Sequence, residues 1–254
     1  MHPNPALEVS DLGFAFNTGK HILRNISFTL GTGEFAVLTG RNGAGKSVLL
    51  KCLKGLYQPD SGTISINGVD LSTSPGKRNK AIALVFQDTD SQVVGQTVER
   101  DILFGLENLG ITGAERDRRF QEVVGLLGLT QQINQRPRTL SGGERRRLAI
   151  AGVLVMAPQV LILDEPFANL DYTGVCQVLE TLVDLKKKGV SILVVTHEIE
   201  KVLAYADRLI LLDTGRIIAN DTVVKVLPLL EDFGVRRPMY HGKPVPVEDL
   251  TWLK

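Results

Sequence analysis

Gly40-Arg41-Asn42-Gly43-Ala44-Gly45-Lys46-Ser47 has the spacing G-x-x-x-x-G-K-[ST]. Glycines at such spacing let successive backbone N–H groups curl around an anion without Cβ clashes. The apolar run Phe35-Ala36-Val37-Leu38 precedes the loop and predicts a buried strand. Val48-Leu49-Leu50-Lys51-Cys52-Leu53 follows it and predicts a helix closed by Gly55. Strand, glycine loop and helix together give this motif its meaning. The helix start adds partial positive charge to the cradle. Lys46 reaches the outer phosphates of a nucleotide, and Ser47 ligates the Mg²⁺ that bridges them. By accident the four fixed positions arise in about one chain in a hundred of this length, and the flanking context lowers that further. Nucleotide binding is the first functional expectation.

Other polar residues fall at the ends of apolar runs. Val160-Leu161-Ile162-Leu163 ends in Asp164-Glu165, Ile82 to Phe86 ends at Gln87, and Ser191 to Val195 ends in Thr196-His197. Fully apolar strands predict a parallel sheet covered on both faces, and such sheets bind ligands at the carboxyl ends of their strands. Asp164 is expected to hold the Mg²⁺ shell. Strand alternation points the adjacent Glu165 the other way, where it could polarise a water. The bland alternative, two solvated acids in a turn, fits poorly with a buried strand. Leu140-Ser141-Gly142-Gly143-Glu144 reads as a helix start, with Ser141 as N-cap and Glu144 three residues on. Phe14 and Phe16 alternate on an N-terminal strand, so one could face a core and the other a ligand. For Phe16, core and ligand remain open.

The remaining elements must position these residues. Leu7–Val9 with Leu12–Phe16, then 21–30, predict strands, and Thr63–Ile66 before Asn67-Gly68 predicts a hairpin. The segment 72–80 is polar, contains Pro75-Gly76 and predicts a surface turn. From Val98 to Leu129 the pattern is helical and amphipathic, as if inserted in an α/β core. Asn169-Leu170-Asp171 opens a helix that Gly189 closes, and 209–219 predicts a hairpin. Leu227 onward predicts a weak helix, then a tail from 239 that is ordered only by packing on the body or a partner.

Whole-chain properties narrow the class. At 254 residues the chain can bury one sizeable core, or one core with a small attached subdomain. Its formal net charge of +1 offers no global field for nucleic acid or anionic lipid. Cys52 and Cys176 lack metal or disulfide spacing and read as core filler in a reducing compartment. No signal region opens the sequence, and no apolar run approaches a membrane span.

In this order the pieces resemble the ATP-binding subunit of an ABC transporter, from about Leu7 to Pro238. The P-loop, Gln87 of the Q-loop, the signature Leu140 to Glu144, and the Walker B strand Val160 to Asp164 carry the resemblance. It implies that Glu165 is the catalytic glutamate, Ala168-Asn169-Leu170-Asp171 the D-loop and His197 the switch histidine. It also implies that Phe16 stacks on adenine. Departures are Glu144 where Gln is commoner and Phe167 where Thr or Ser is common. After Gln87, the run Asp88 to Gln92 and then Gln96 to Gly105 is similar to energy-coupling factor ATPases, with Thr89 replacing the usual Pro. Ala149 to Gly152 and Gly234 to Pro238 also fit that group. Those ATPases drive uptake of vitamins and of cobalt or nickel.

The implied fold is an α/β P-loop NTPase (RecA-like) core with an antiparallel β subdomain and a helical subdomain. The implied domain covers 1–238, with the helical part at about 88–157 and a tail at 239–254. Implied cofactors are ATP and Mg²⁺. Implied partners are a second ATP-binding subunit, identical or paralogous, and integral membrane components that hold the chain at the cytoplasmic face. No nucleic acid is expected. On the resemblance, two subunits sandwich two ATPs, and Ser141-Gly142-Gly143 meets the γ-phosphate held by the opposite subunit. Glu165 then polarises the attacking water, while His197 and Gln87 sense γ-phosphate and Mg²⁺. Two other readings are a soluble ABC-type ATPase acting on nucleic acid or the ribosome, and a non-hydrolysing regulatory subunit. The first lacks its usual second unit, heptad array or basic patch, and intact Lys46, Glu165 and His197 oppose the second.

Overall fold

The computed structural model describes residues 5–16 and 19–253. Residues 1–4, 17, 18 and 254 of the expected domain and tail lie outside the described residues. The chain runs β1 (Leu7–Ala15), β2 (His21–Leu30), β3 (Phe35–Thr39), α1 (Lys46–Lys54), β4 (Ser61–Ile66), β5 (Val69–Asp70), α2 (Pro75–Ala81) and β6 (Ile82–Val85). Three helices follow, α3 (Val98–Asn108), α4 (Gly113–Leu126) and α5 (Gly142–Leu154). Then come β7 (Val160–Asp164), α6 (Tyr172–Lys187), β8 (Ser191–Val195), β9 (Arg208–Asp213), β10 (Arg216–Asp221) and α7 (Val223–Val226). A short pair, β11 (Met239–Tyr240) and β12 (Lys243–Pro244), lies near the end.

The central sheet has the order β10-β9-β3-β8-β7-β6. All its pairs are parallel except β9 with β10. Its parallel strands are largely apolar on both faces because each face has its own core. Phe35, Val37, Leu161, Leu163, Ile192 and Val194 join the cluster shared with the helices. Ala36, Leu38, Val160, Ile162, Leu193 and Val195 join the cluster shared with α1 and the second sheet. That second sheet, β2-β1-β4-β5, is antiparallel, and Asn67 and Gly68, both at positive φ, turn β4 into β5. The topology is that of an α/β P-loop core carrying an antiparallel sheet, with α3 to α5 interposed between β6 and β7.

One local expectation is corrected. Pro75–Ala81 is helix α2, not a surface turn. Its Arg78 is fully buried, and the guanidinium donates to the carbonyls of Leu71 and Ser72. Pro75 at the first helical position supports a helix start, because its missing N–H would have no partner there anyway. Of the two cysteines, Cys52 is buried as expected, whereas Cys176 is only half-buried.

The tail packs on the body. Leu250 joins the larger core, and the Trp252 ring lies 5.6 Å from that of Tyr172 at the start of α6. The Tyr205 hydroxyl accepts from the backbone N–H groups of Trp252 (3.0 Å) and Leu253 (2.8 Å). Among the described residues no helix is long and apolar enough to cross a membrane.

Candidate active site at the strand ends

The P-loop lies between β3 and α1. Gly40 has no room for a side chain, since a Cβ there would stand 2.1 Å from the Leu212 carbonyl oxygen. Lys46 Nζ donates to the carbonyls of Gly40 (2.6 Å) and Arg41 (3.3 Å), which places the ammonium inside the loop. Burial lowers its pKa, and the negative charges of Glu165 and Asp164 oppose that shift. Arg41 also pairs with Asp213 at 2.7 Å, fastening the loop to the end of β9.

A cleft of about 360 Å³ brings Asn42, Gly43, Gly45, Lys46 and Ser47 together with Gln87, Asp164 and Glu165. A second cleft of about 780 Å³ runs from Ser47, Gln87 and Asp164 to Gly142 and Asn169. Residues distant in sequence therefore meet where the strand-end argument puts them. Burial, and next the neighbouring Glu165, push the Asp164 carboxyl up to about 6, with Lys46 and Arg146 pulling it back.

Glu165 departs from the expected alternation. β7 ends at Asp164, and Glu165 takes a left-handed backbone, φ 46°. Both carboxylates consequently line the same cleft. A non-glycine residue holds this conformation only when its surroundings over-determine it. The Glu165 N–H donates to the Val195 carbonyl at 2.8 Å. Its carboxylate accepts from the Thr196 hydroxyl (2.8 Å) and the His197 backbone N–H (3.2 Å), and lies 2.8 Å from His197 Nδ1. Glu165 is only 8% exposed, whereas the His197 side chain is 62% exposed.

The signature segment caps α5. Ser141 Oγ accepts from the Glu144 N–H, and the Glu144 carboxylate accepts from the Ser141 N–H, a reciprocal capping box. Gly143 packs against α6 so closely that a Cβ would stand 3.0 Å from Gly174 Cα. Asp171 caps α6 by accepting from the Gly174 N–H at 2.8 Å. Gly142 borders the second cleft, but Ser141, Gly143 and Asp171 line neither cleft within the chain.

Phe14 and Phe16 divide as the alternation allowed. Phe14 is 8% exposed and stacks on Tyr57, centroids 5.2 Å apart. Phe16 is 41% exposed and touches both rings edge-on. Its N–H donates to the Lys20 carbonyl, beside the β2 segment whose Ile22 packs under Gly45.

Two residues near the site drew no role from sequence. Arg146 is buried in α5 and donates to the Phe86 carbonyl at 2.9 Å. Gln92, noted only as a subgroup marker, accepts from the Phe86 N–H and donates to the Leu84 carbonyl, both at 2.9 Å. The peptide groups flanking Phe86, just before Gln87, are thus clamped by side chains beyond the strand. A Gln six residues after the run's last aromatic was visible; its bonding to backbone was not.

The donor set fits Mg²⁺. Ser47, Gln87 and Asp164 offer a hydroxyl, an amide oxygen and a carboxylate along one cleft. Mg²⁺ is commonly held by one or two carboxylates plus substrate phosphates and water. Among the described residues no group of three His, Cys, Asp or Glu forms a protein-only metal cage.

The sequence profile of the ABC transporter family matches residues 23–168. The energy-coupling factor transporter ATP-binding protein EcfA1 of Latilactobacillus sakei is 38% identical, over 99% of this chain and 95% of its own. The cobalt import ATP-binding protein CbiO of Rhodobacter capsulatus is 37% identical, over 92% of this chain and 86% of its own. The structure of cbiO1 from Clostridium perfringens, part of the ABC transporter complex cbiONQ, superposes with a TM-score of 0.83 at 33% identity. That match covers 92% of this chain and 96% of the other. These likenesses favour the transporter reading over the nucleic-acid and non-hydrolysing alternatives. The chain belongs to the ABC transporter family, as an ATP-hydrolysing, ATP-binding subunit of the energy-coupling factor type.

Proposed function

We propose that this chain powers import of a small solute, a metal ion or a vitamin, from the cytoplasmic face of a cell membrane. It does so by pairing with a second ATP-binding subunit and docking on integral membrane components. The observation that carries the reading is the cleft in which Lys46 and Ser47 face Gln87, Asp164 and Glu165. The likeness to a cobalt import ATP-binding protein supports a metal-ion cargo, and the vitamin alternative rests on the resemblance to energy-coupling factor ATPases.

In this reading Lys46 and the N–H groups of Gly40 to Ser47 hold the β- and γ-phosphates. Ser47, Asp164 and Gln87 would hold Mg²⁺, which would supply positive charge to neutralise those phosphates. Glu165 orients the attacking water and accepts its proton as the bond to the γ-phosphorus forms and ADP leaves. His197 and Gln87 register the γ-phosphate, and Phe16 offers its exposed face to adenine. Ser141, Gly142 and Asp171, with Gly143 packed behind them against α6, meet the nucleotide held by the second subunit. Such a shared site uses ATP as the bridge, and hydrolysis removes the charge that both halves grip.

The test is a tagged-bait purification from detergent-solubilised membranes of the native host. Recovery of a multi-span scaffold protein with a small substrate-capturing membrane protein supports the reading. Recovery of ribosomal or DNA-bound partners alone overturns it.

A further inference from the structure

We propose that Thr196 is a positioning residue for hydrolysis, anchoring one oxygen of Glu165 so that the other faces the reacting water. The inference rests on the reading of Glu165 as the water-orienting base.

Thr196 is fully buried between β8 and the exposed histidine that follows it. Its backbone N–H donates to the Leu38 carbonyl at 3.1 Å, tying it to the strand that leads into the P-loop. Its hydroxyl oxygen accepts from the Glu198 N–H at 3.0 Å and lies 2.8 Å from Glu165 Oε2. A hydroxyl has one proton to give. The Glu198 N–H already donates to that oxygen, and an ionised carboxylate has no proton to offer, so the Thr196 proton points at Oε2. Burial leaves no solvent to compete for it. The β-branched side chain also restricts rotation about χ1.

The two carboxylate oxygens are therefore unequal. Oε2 takes the fixed hydroxyl and Oε1 faces the His197 ring, while the His197 backbone N–H is shared between them, 3.2 Å from Oε1 and 3.4 Å from Oε2. That ring is largely exposed. Thr196 is the buried side-chain partner of Glu165, and its contact does not depend on that ring. The left-handed backbone of Glu165 needs such a restraint, because nothing intrinsic to glutamate favours φ 46°. Sequence places Thr196 beside the histidine; only the fold turns its hydroxyl to the glutamate.

The experiment is a kinetic cycle on the full chain with Thr196→Val, Thr196→Ser, Glu165→Gln and the double variant Thr196→Val/Glu165→Gln. Val keeps the shape and removes the hydroxyl, and Ser restores it. The expected result is a kcat loss of about 10–100-fold for Thr196→Val, with the KM for ATP within about 2-fold. Thr196→Ser is expected within about 3-fold of the parent. In the Glu165→Gln background, Thr196→Val should cost nothing further, because a residue acting through Glu165 has nothing left to position. Parental kcat for Thr196→Val overturns the inference, as does an equal loss in Thr196→Ser or the same loss on both backgrounds. Parental turnover in Glu165→Gln overturns instead the reading of Glu165, and the inference falls with it.

Discussion

His197 approaches Glu165 twice, with its backbone N–H 3.2 Å and its ring Nδ1 2.8 Å from the same carboxylate oxygen, Oε1. The backbone contact is fixed by the end of β8, while the ring contact can be made and broken. His197→Ala removes only the second. Glu165 should stay in place, and the loss should fall on turnover. A kcat decrease of about 10²–10⁴-fold is expected, with ATP affinity nearly unchanged. Steady-state hydrolysis with parallel nucleotide titration checks this. A large loss of affinity at constant kcat would contradict it.

Asp164 makes the site costly to the fold. Its folded carboxyl titrates at about 6, against about 3.9 in an unfolded chain. The folded chain thus binds this proton more tightly. The resulting stabilisation is full below about pH 4 and is lost as pH rises through about 6. Asp164→Asn never ionises, so without nucleotide or Mg²⁺ it should exceed the parent by about 1 kcal/mol at pH 7.5, after allowance for solvent screening. Below about pH 4 that advantage should vanish. Thermal melts across pH measure it, and a less stable Asp164→Asn at pH 7.5 counts against it.

Gly143 is a packing requirement as well as part of the signature. An added Cβ meets Gln177 Oε1 at 2.9 Å and Gly174 Cα at 3.0 Å. The glutamine can swing aside; the backbone of α6 cannot. Gly143→Ala should push α5 from α6 and cost about 1–3 kcal/mol. Chemical denaturation tests it, with parental stability as the contrary result.

Gln92 holds Phe86 and Leu84 by their backbones, so it sets where Gln87 begins. Gln92→Leu keeps the approximate bulk but leaves a part-buried N–H and carbonyl short of partners, a loss of about 1 kcal/mol. Turnover should fall along with stability, because Gln87 loses its fixed approach. Hydrolysis and melting temperature measured together decide this; unchanged values for both would show that the clamp is idle.

The parts legible in sequence share one property, that local pattern and fold agree. Apolar strands ending in Gln87, Asp164-Glu165 and Thr196-His197 could be read because a sheet covered on both faces displays its polar residues at strand ends. The capping box at Ser141 and Glu144 is likewise local chemistry. What stayed hidden depends on distant partners. α2 was obscured by Pro75-Gly76, and its buried Arg78 donates through Nη1 to carbonyls outside the helix. The left-handed Glu165 is held by residues 30 or so positions away, so alternation misjudged its direction. Arg146 gives no periodic signal of burial, since it sits in the run Arg145-Arg146-Arg147. The tail's docking rests on Trp252 meeting Tyr172 and Tyr205, which neither segment announces alone.

The most direct measurement is single-turnover ATP hydrolysis by the complete membrane complex carrying Glu165→Gln, beside the unchanged complex. The variant should bind ATP with near-parental affinity and hydrolyse it about 10²–10⁴-fold more slowly, accumulating as an ATP-bridged pair of subunits. Hydrolysis at the parental rate would contradict the assignment of Glu165 and the site built around it.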